Sequence, residues 1–232
     1  MTAAPAATAE DTAPSPDRGR GPLLAASGIV KRYGIKHVLD GVDLTVHPGE
    51  VVALVGENGC GKTTLLRICA GITRPDAGRV EERGRIGYCP QEPGLLELLN
   101  ADEHLALFGA AFGLSRKDAV AAGRQLLEEL DFPVGDRSVS KDLSGGTRQK
   151  LNLALALLGD PEVLLLDAPY QGFDTGSYVN FWDHVIGWRA AGRATVVVTH
   201  MLSELSRVDR VMDLTHPSRR SPASPEAGRR PG

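Results

Sequence analysis

Residues Val51 to Leu66 read VVALVGENGCGKTTLL, and the rest of the chain is organised around them. The apolar or small residues Val51 to Val55 predict a buried strand. Gly56-Glu57-Asn58-Gly59-Cys60-Gly61-Lys62-Thr63 then fits the spacing G-x-x-x-x-G-K-[ST] without a gap. Lys62 to Ala70 carries good helix formers and is expected to close at Gly71. Glycines at 56, 59 and 61 let the backbone curl until its N–H groups point inward at phosphate oxygens. The helix N-terminus behind them adds partial positive charge. In such a loop the Lys62 ammonium reaches β- and γ-phosphates, and the Thr63 hydroxyl sits on Mg²⁺. A glycine-rich turn that matched by chance would not have the strand before it and the helix after it.

Upstream, LLAASGIVKRYG from Leu23 and HVLDGVDLTV from His37 predict two strands joined by a turn at Gly34. Tyr33 ends the first of them. Its ring can stack on a purine; an ordinary half-buried strand tyrosine is the alternative. Downstream, GRVEERGRIGYCPQ predicts a short hairpin turning near Arg83-Gly84, with Ile86 to Tyr88 running toward Gln91. Asp102 to Phe112 has apolar residues at helical spacing. Ser115, with Asp118 three residues on, caps a second helix reaching about Leu130. Residues 93–143 therefore read as a helical insert between strand-bearing halves.

Leu143-Ser144-Gly145-Gly146-Thr147 opens another helix, with Ser144 as its N-cap and two glycines leaving N–H groups open to an anion. Val163 to Asp167 is an apolar strand ending in a carboxylate, which suits a buried parallel strand. An acid at that end lies beside the phosphate loop, where it can hold Mg²⁺ through water. Tyr178, Phe181, Trp182, Val185 and Ile186 form one stripe of a helix from Ser177 to Ala191, read as core packing. Thr195 to Thr199 is a further strand tipped by His200, and Arg210 to Leu214 is the last.

Composition sets the outer limits. The chain has 232 residues, 42% of them hydrophobic, enough for a sizeable core. A net charge of −3 gives no general pull toward nucleic acid, and no nucleic-acid partner is expected. The three cysteines, 60, 69 and 89, are odd in number and cluster near the phosphate loop, which fits a reducing cytosolic compartment rather than a disulfide framework. No apolar run is long enough to span a membrane. Residues 1–21 and 215–232, rich in Ala, Pro, Ser and Arg, are expected to be disordered tails around one domain, 22–214.

Taken in order, these segments resemble the ATP-binding subunit of an ABC (ATP-binding cassette) transporter. The resemblance implies an α/β fold: a P-loop NTPase core with an antiparallel β subdomain and a helical insert. It also assigns roles. Tyr33 stacks on adenine. Gly56, Glu57, Asn58, Gly59, Cys60, Gly61, Lys62, Thr63 and Thr64 hold the phosphates of ATP, and Val163 to Asp167 is the second Walker motif. Thr63, Gln91 and Asp167 hold Mg²⁺. Gln91 and His200 sense the attacking water and the γ-phosphate, while Ser144, Gly145 and Gly146 form the signature that closes over a nucleotide held by a second ATP-binding subunit. Gly172-Phe173-Asp174 is the loop that crosses to that subunit. An integral membrane permease is the implied partner, contacted through the segment after Gln91, and the chain would sit on the cytoplasmic face of the membrane. The stretch Glu103-His104-Leu105 with Leu107-Phe108-Gly109 is similar to drug and antibiotic exporters.

One position departs from the family pattern. Where a glutamate normally follows the second Walker aspartate, this chain has Ala168, and a methyl group can neither accept a proton nor orient water. Removing a positioned general base lowers a rate by about 10² to 10⁴. ATP binding is expected with slow hydrolysis. Three origins stay open: the degenerate half of a heterodimer, a substitution that traps the ATP-bound dimer, or replacement of the base by another group such as His200. Beside the transporter reading stand a soluble ATPase of the same family and a regulatory module that binds nucleotide without turnover.

Overall fold

The computed structural model describes residues 21–133, 135, 137–199 and 206–214. His200 and the two expected tails, apart from Gly21, lie outside the described residues. Two sheets carry the fold. β1 (Leu24–Tyr33), β2 (Lys36–Val46) and β4 (Ala77–Glu82) form an antiparallel sheet in the order β2-β1-β4. β3 (Val51–Val55), β5 (Ile86–Cys89), β6 (Val163–Asp167), β7 (Ala194–Val198) and β8 (Arg210–Asp213) form a parallel sheet in the order β5-β6-β7-β3-β8. The residues of β6 and β7 are all buried, as expected of central strands covered on both faces.

Five α-helices complete the described fold: α1 (Lys62–Cys69), α2 (Ala101–Ala111), α3 (Arg116–Glu129), α4 (Gly145–Leu157) and α5 (Thr175–Ala190). Side-chain alternation along the parallel strands divides the core into two. Val163 and Leu165 of β6, with Val52 and Leu54 of β3, face α1 and the antiparallel sheet. Leu164 and Leu166 face the other way, onto α4, α5 and the insert. The phosphate loop leaves the sheet where the first of these layers meets β2.

Local signals placed most helix starts. Ser115 accepts a hydrogen bond from the Asp118 amide, Ser144 from the Thr147 amide and Asp174 from the Ser177 amide. The start of α2 is stronger than its sequence suggested. Asn100 and Glu103 form a reciprocal capping box. His104, fully buried, accepts the Leu96 N–H at Nε2 (2.9 Å), while its Nδ1 meets the Asn100 carbonyl at 2.8 Å. Glu103 and His104 thus brace the loop that leads into the insert. Helices α2 and α3 approach closely because Gly109 and Gly123 carry no side chain: a Cβ on either would stand about 2 Å from Ala119 Cβ or Leu105 Cδ2.

Two expectations fail. The stretch around Arg83-Gly84 is not a hairpin: β4 pairs with β1 in one sheet and β5 with β6 in the other. β4 is nearly all exposed, whereas Gly87 and Cys89 of β5 are buried and Glu162 draws the chain across by accepting the Arg85 amide at 2.7 Å. Gly87 is also obligatory, since a Cβ there would meet the Ala156 carbonyl at 2.2 Å. In α5, Phe181, Trp182 and Val185 are buried as expected, but Ile186 is exposed, at the solvent edge of the stripe.

Candidate functional site

The phosphate loop needs three backbone conformations that L side chains rarely adopt, and glycine occupies each: φ is 143° at Gly56, 79° at Gly59 and 110° at Gly61. Gly61 is constrained twice, because a Cβ there would stand 2.7 Å from Leu39 Cδ2 and 2.9 Å from the Val38 carbonyl of β2. Inside the loop the Lys62 ammonium, nearly buried, donates to the carbonyls of Gly56 (2.7 Å) and Glu57 (2.9 Å). Those contacts hold the lysine over the hollow of the loop, where phosphate oxygens can exchange for carbonyls as acceptors.

A cavity of about 500 Å³ opens here, lined by Tyr33, Lys36, Val38, Asn58, Gly59, Gly61, Lys62, Thr63, Thr64, Gln91, Asp167, Ala168 and Val198. It brings together residues from the hairpin β1–β2, the phosphate loop, the segment after β5 and the end of β6. Tyr33 is half exposed at one rim, with the Lys31 ammonium 5.5 Å from its ring centroid. Asp167 is buried at the C-terminal end of β6, although β7 intervenes between β6 and the phosphate-loop strand β3. Its charge, after burial itself, helps push the Tyr88 hydroxyl up to about 12 and raises the Cys89 thiol. A larger hollow of about 690 Å³ lies at the opposite end of the parallel sheet, among residues such as Pro48, Glu162 and Arg193. Its Arg193 is paired with Asp160 at 2.7 Å and its Glu162 with Arg85 at 3.7 Å, and neither the phosphate loop nor Asp167 lines it, so the smaller cavity is the chemical one.

The donor set of the cavity suits a hard cation. Thr63, Asp167 and Gln91 offer hydroxyl, carboxylate and amide oxygens, and Mg²⁺ takes one or two carboxylates together with phosphate oxygens. Among the described residues no group of three or more His, Cys, Asp or Glu could hold a metal ion.

The remaining expected residues lie elsewhere. Gly56, Glu57 and Cys60 belong to the loop but do not line the cavity wall; Cys60 is half-buried, its sulfur 3.9 Å from Lys62 Nζ. Ser144, Gly145 and Gly146 are at the N-terminus of α4 and are not among the lining residues. The two glycines differ. A Cβ on Gly145 would meet nothing within 4 Å, whereas on Gly146 it would strike the Gly172 carbonyl at 2.4 Å. The signature helix therefore packs on the loop expected to cross to a partner.

Ala168 lines the cavity in a left-handed conformation, φ 47°. Three positioning residues escaped the sequence reading. Asn152 on α4 donates to the Pro90 carbonyl (2.9 Å) and the Cys89 sulfur (3.3 Å), which fixes the segment entering Gln91. Lys36 joins the cavity beside Tyr33. Tyr170 donates to Thr199 Oγ1 at 2.6 Å. Asn152 and Tyr170 carry no local signal, because each bonds a residue remote in sequence.

Comparison with known proteins agrees with this architecture. The family model described as ABC transporter matches residues 39–171, more than half of the chain, and the chain belongs to that family. It is 38% identical over 201 residues to the daunorubicin resistance ATP-binding protein DrrA3 of Streptomyces coeruleorubidus, covering 81% of this chain and 64% of that protein. It is also 38% identical over 191 residues to the aliphatic sulfonates import ATP-binding protein SsuB of Corynebacterium glutamicum, covering 79% and 76%. A solved ATP-binding subunit of an ABC transporter superimposes with a TM-score of 0.75 at 28% identity, covering 83% of this chain and 86% of that one. The chain carries an ABC transporter ATP-binding domain with an α/β P-loop NTPase fold, and it spans less than two thirds of the length of the resistance protein. Among the described residues no helix is long and apolar enough to cross a membrane.

Proposed function

We propose that this chain binds ATP at the 500 Å³ cavity and hydrolyses it slowly, between two ATP-binding subunits set head to tail, to drive export through a separate membrane permease. The observation that carries the reading is the division of the site. Phosphate loop, Gln91, Asp167 and Ala168 share one cavity, while Ser144, Gly145 and Gly146 lie outside it. Gly145 faces open space at a helix N-terminus, so its amide can serve a nucleotide held by another subunit.

Within the cavity Lys62 neutralises the β- and γ-phosphates and the loop amides hold them in line. Tyr33 and Val38 offer an apolar rim for the base. Thr63, Asp167 and Gln91 would hold Mg²⁺, which would supply charge neutralisation at the transferring group. Ala168 supplies no proton acceptor, so the attacking water is bound without a base at that position. Binding and closure survive while the chemical step is slow.

The permease contact falls on the insert. Leu96, Leu98, Leu107, Phe108 and Phe112 are exposed on the loop and helix that follow Gln91, a position able to pass movement from the cavity outward. On this reading the chain sits on the cytoplasmic face of a membrane through its partner. The domain is 22–214 with the insert at 93–143. Export is favoured by the similarity to a resistance protein, whereas similarity to an importer makes direction the point to test.

The deciding experiment combines sedimentation of the purified chain with and without MgATP and fractionation after co-expression with a candidate permease. MgATP-dependent association and permease-dependent recovery with membranes are expected. Nucleotide binding with neither behaviour would overturn the transporter reading in favour of a regulatory nucleotide-binding module.

A further inference from the structure

Tyr170 lies between the loop at Ala168 and the loop at Gly172. Its ring is held apart from its hydroxyl: it packs edge-on to Tyr178 with centroids 5.0 Å apart and tilted against Phe181 at 5.6 Å. The hydroxyl reaches past the end of β7 and donates to Thr199 Oγ1 at 2.6 Å. Thr199 is buried, directly follows Val198 of the cavity wall, and donates its own amide to the Leu54 carbonyl of β3 at 3.3 Å. Leu54 stands two residues before Gly56. On the other side, two turns carry the constraint outward: the Gln171 amide bonds the Ala168 carbonyl at 3.2 Å, and the Phe173 amide bonds the Tyr170 carbonyl at 3.0 Å. The Gly172 carbonyl then abuts Gly146 of the signature helix.

We propose that Tyr170 is a positioning residue whose hydroxyl, bonded to Thr199, transmits occupancy of the phosphate loop to the loop 168–174. The inference rests on the reading of the cavity as an ATP site. Nucleotide that orders Gly56–Thr63 stiffens the end of β3. The Leu54–Thr199–Tyr170 chain carries that stiffening to Gln171 and Phe173, beside the signature. Neither Tyr170 nor Thr199 is required to touch the nucleotide.

The test uses the full chain and two readouts: affinity for a fluorescent ATP analogue with Mg²⁺, and hydrogen exchange at the Gln171 and Phe173 amides with and without MgATP. In the wild type, nucleotide slows exchange at both amides by about 3- to 10-fold, the range set by one hydrogen bond. Tyr170→Phe keeps the ring packing and Thr199→Val keeps the shape. Both retain nucleotide affinity within about twofold and lose the slowing, and Thr199→Ser, which restores the hydroxyl, recovers it. Slowing in Tyr170→Phe equal to that of the wild type overturns the proposal, as does wild-type binding with no slowing. Absence of nucleotide binding to the wild type overturns the ATP-site reading and this inference together, and the affinity measurement separates that case from the others.

Discussion

Ala168→Glu tests whether this site lacks a base and nothing else. The alanine sits in the left-handed region at φ 47°, where an L residue bears about 1 to 2 kcal/mol of strain. Glutamate bears the same strain, so the exchange is neutral for the backbone. The position is half-buried and lines the cavity with Lys62, Thr63 and Asp167, so a carboxylate there faces the phosphate loop. A general base contributes about 10² to 10⁴ in rate, which corresponds to about 3 to 5 kcal/mol of barrier. Steady-state phosphate release is compared for wild type, Ala168→Glu and Ala168→Gln at a protein concentration that supports MgATP-driven association. The glutamate raises turnover by about two orders of magnitude or more, and the glutamine, which has the shape without the proton affinity, does not. Ala168→Gly is the backbone control. It relieves about 1 kcal/mol of strain, less the added chain entropy of glycine, and raises stability without raising turnover. Equal rates for the glutamate, glutamine and wild-type proteins, all well above background, would show that another group supplies the base.

Other expectations follow from single contacts. Gly61→Ala forces a methyl into the Val38 carbonyl at 2.9 Å and costs about 1 to 3 kcal/mol; titration with a fluorescent ATP analogue should show affinity at least about tenfold weaker. Gly146→Ala drives a methyl into the Gly172 carbonyl and lowers stability in denaturant by a similar amount, whereas Gly145→Ala, in open space, stays within about 0.5 kcal/mol of the wild type. Burial pushes the Cys69 thiol up to about 12 and raises that of Cys89 too. Thiol-specific alkylation at neutral pH should therefore modify half-buried Cys60 first, block nucleotide binding, and be prevented by ATP. Modified Cys60 with full nucleotide affinity would contradict this. The Ser177 amide and hydroxyl hold the Asp174 carboxyl below the usual range, and the Lys31 ammonium with the Arg32 amide does the same for Asp76. Their stabilisation is present above the unfolded value near pH 4 and is lost as pH falls through the lower folded values. Melting curves between about pH 5 and 2 should show a shallower acid loss for Asp174→Asn and Asp76→Asn than for the wild type.

Much of the molecule could be read from local chemistry. The phosphate loop declared itself because glycine at 56, 59 and 61 answers three positive φ angles, and because Val51–Val55 and Lys62–Cys69 obey their own periodicities. Ser115 and Ser144 announced helix starts through hydrogen bonds that reach only three residues. The polar exterior of β4 could equally have belonged to a hairpin, and nothing near Arg83-Gly84 says that the two strands part into different sheets. That choice was made by distant partners, Leu24–Val30 for β4 and Glu162 with Val163 for β5.

The same division runs through the site. The residue types that can hold a nucleotide, and the missing carboxylate at Ala168, are properties of the chain written out in order. Which of them share a cavity is not. The sheet order β5-β6-β7-β3 brings Gln91, Asp167 and Lys62 to one wall and leaves Ser144 to Gly146 outside it. Asn152 against Pro90, Gly146 against Gly172 and Tyr170 against Thr199 exist through packing alone, because a contact between residues 26 to 62 positions apart leaves no periodic or capping signal in either segment.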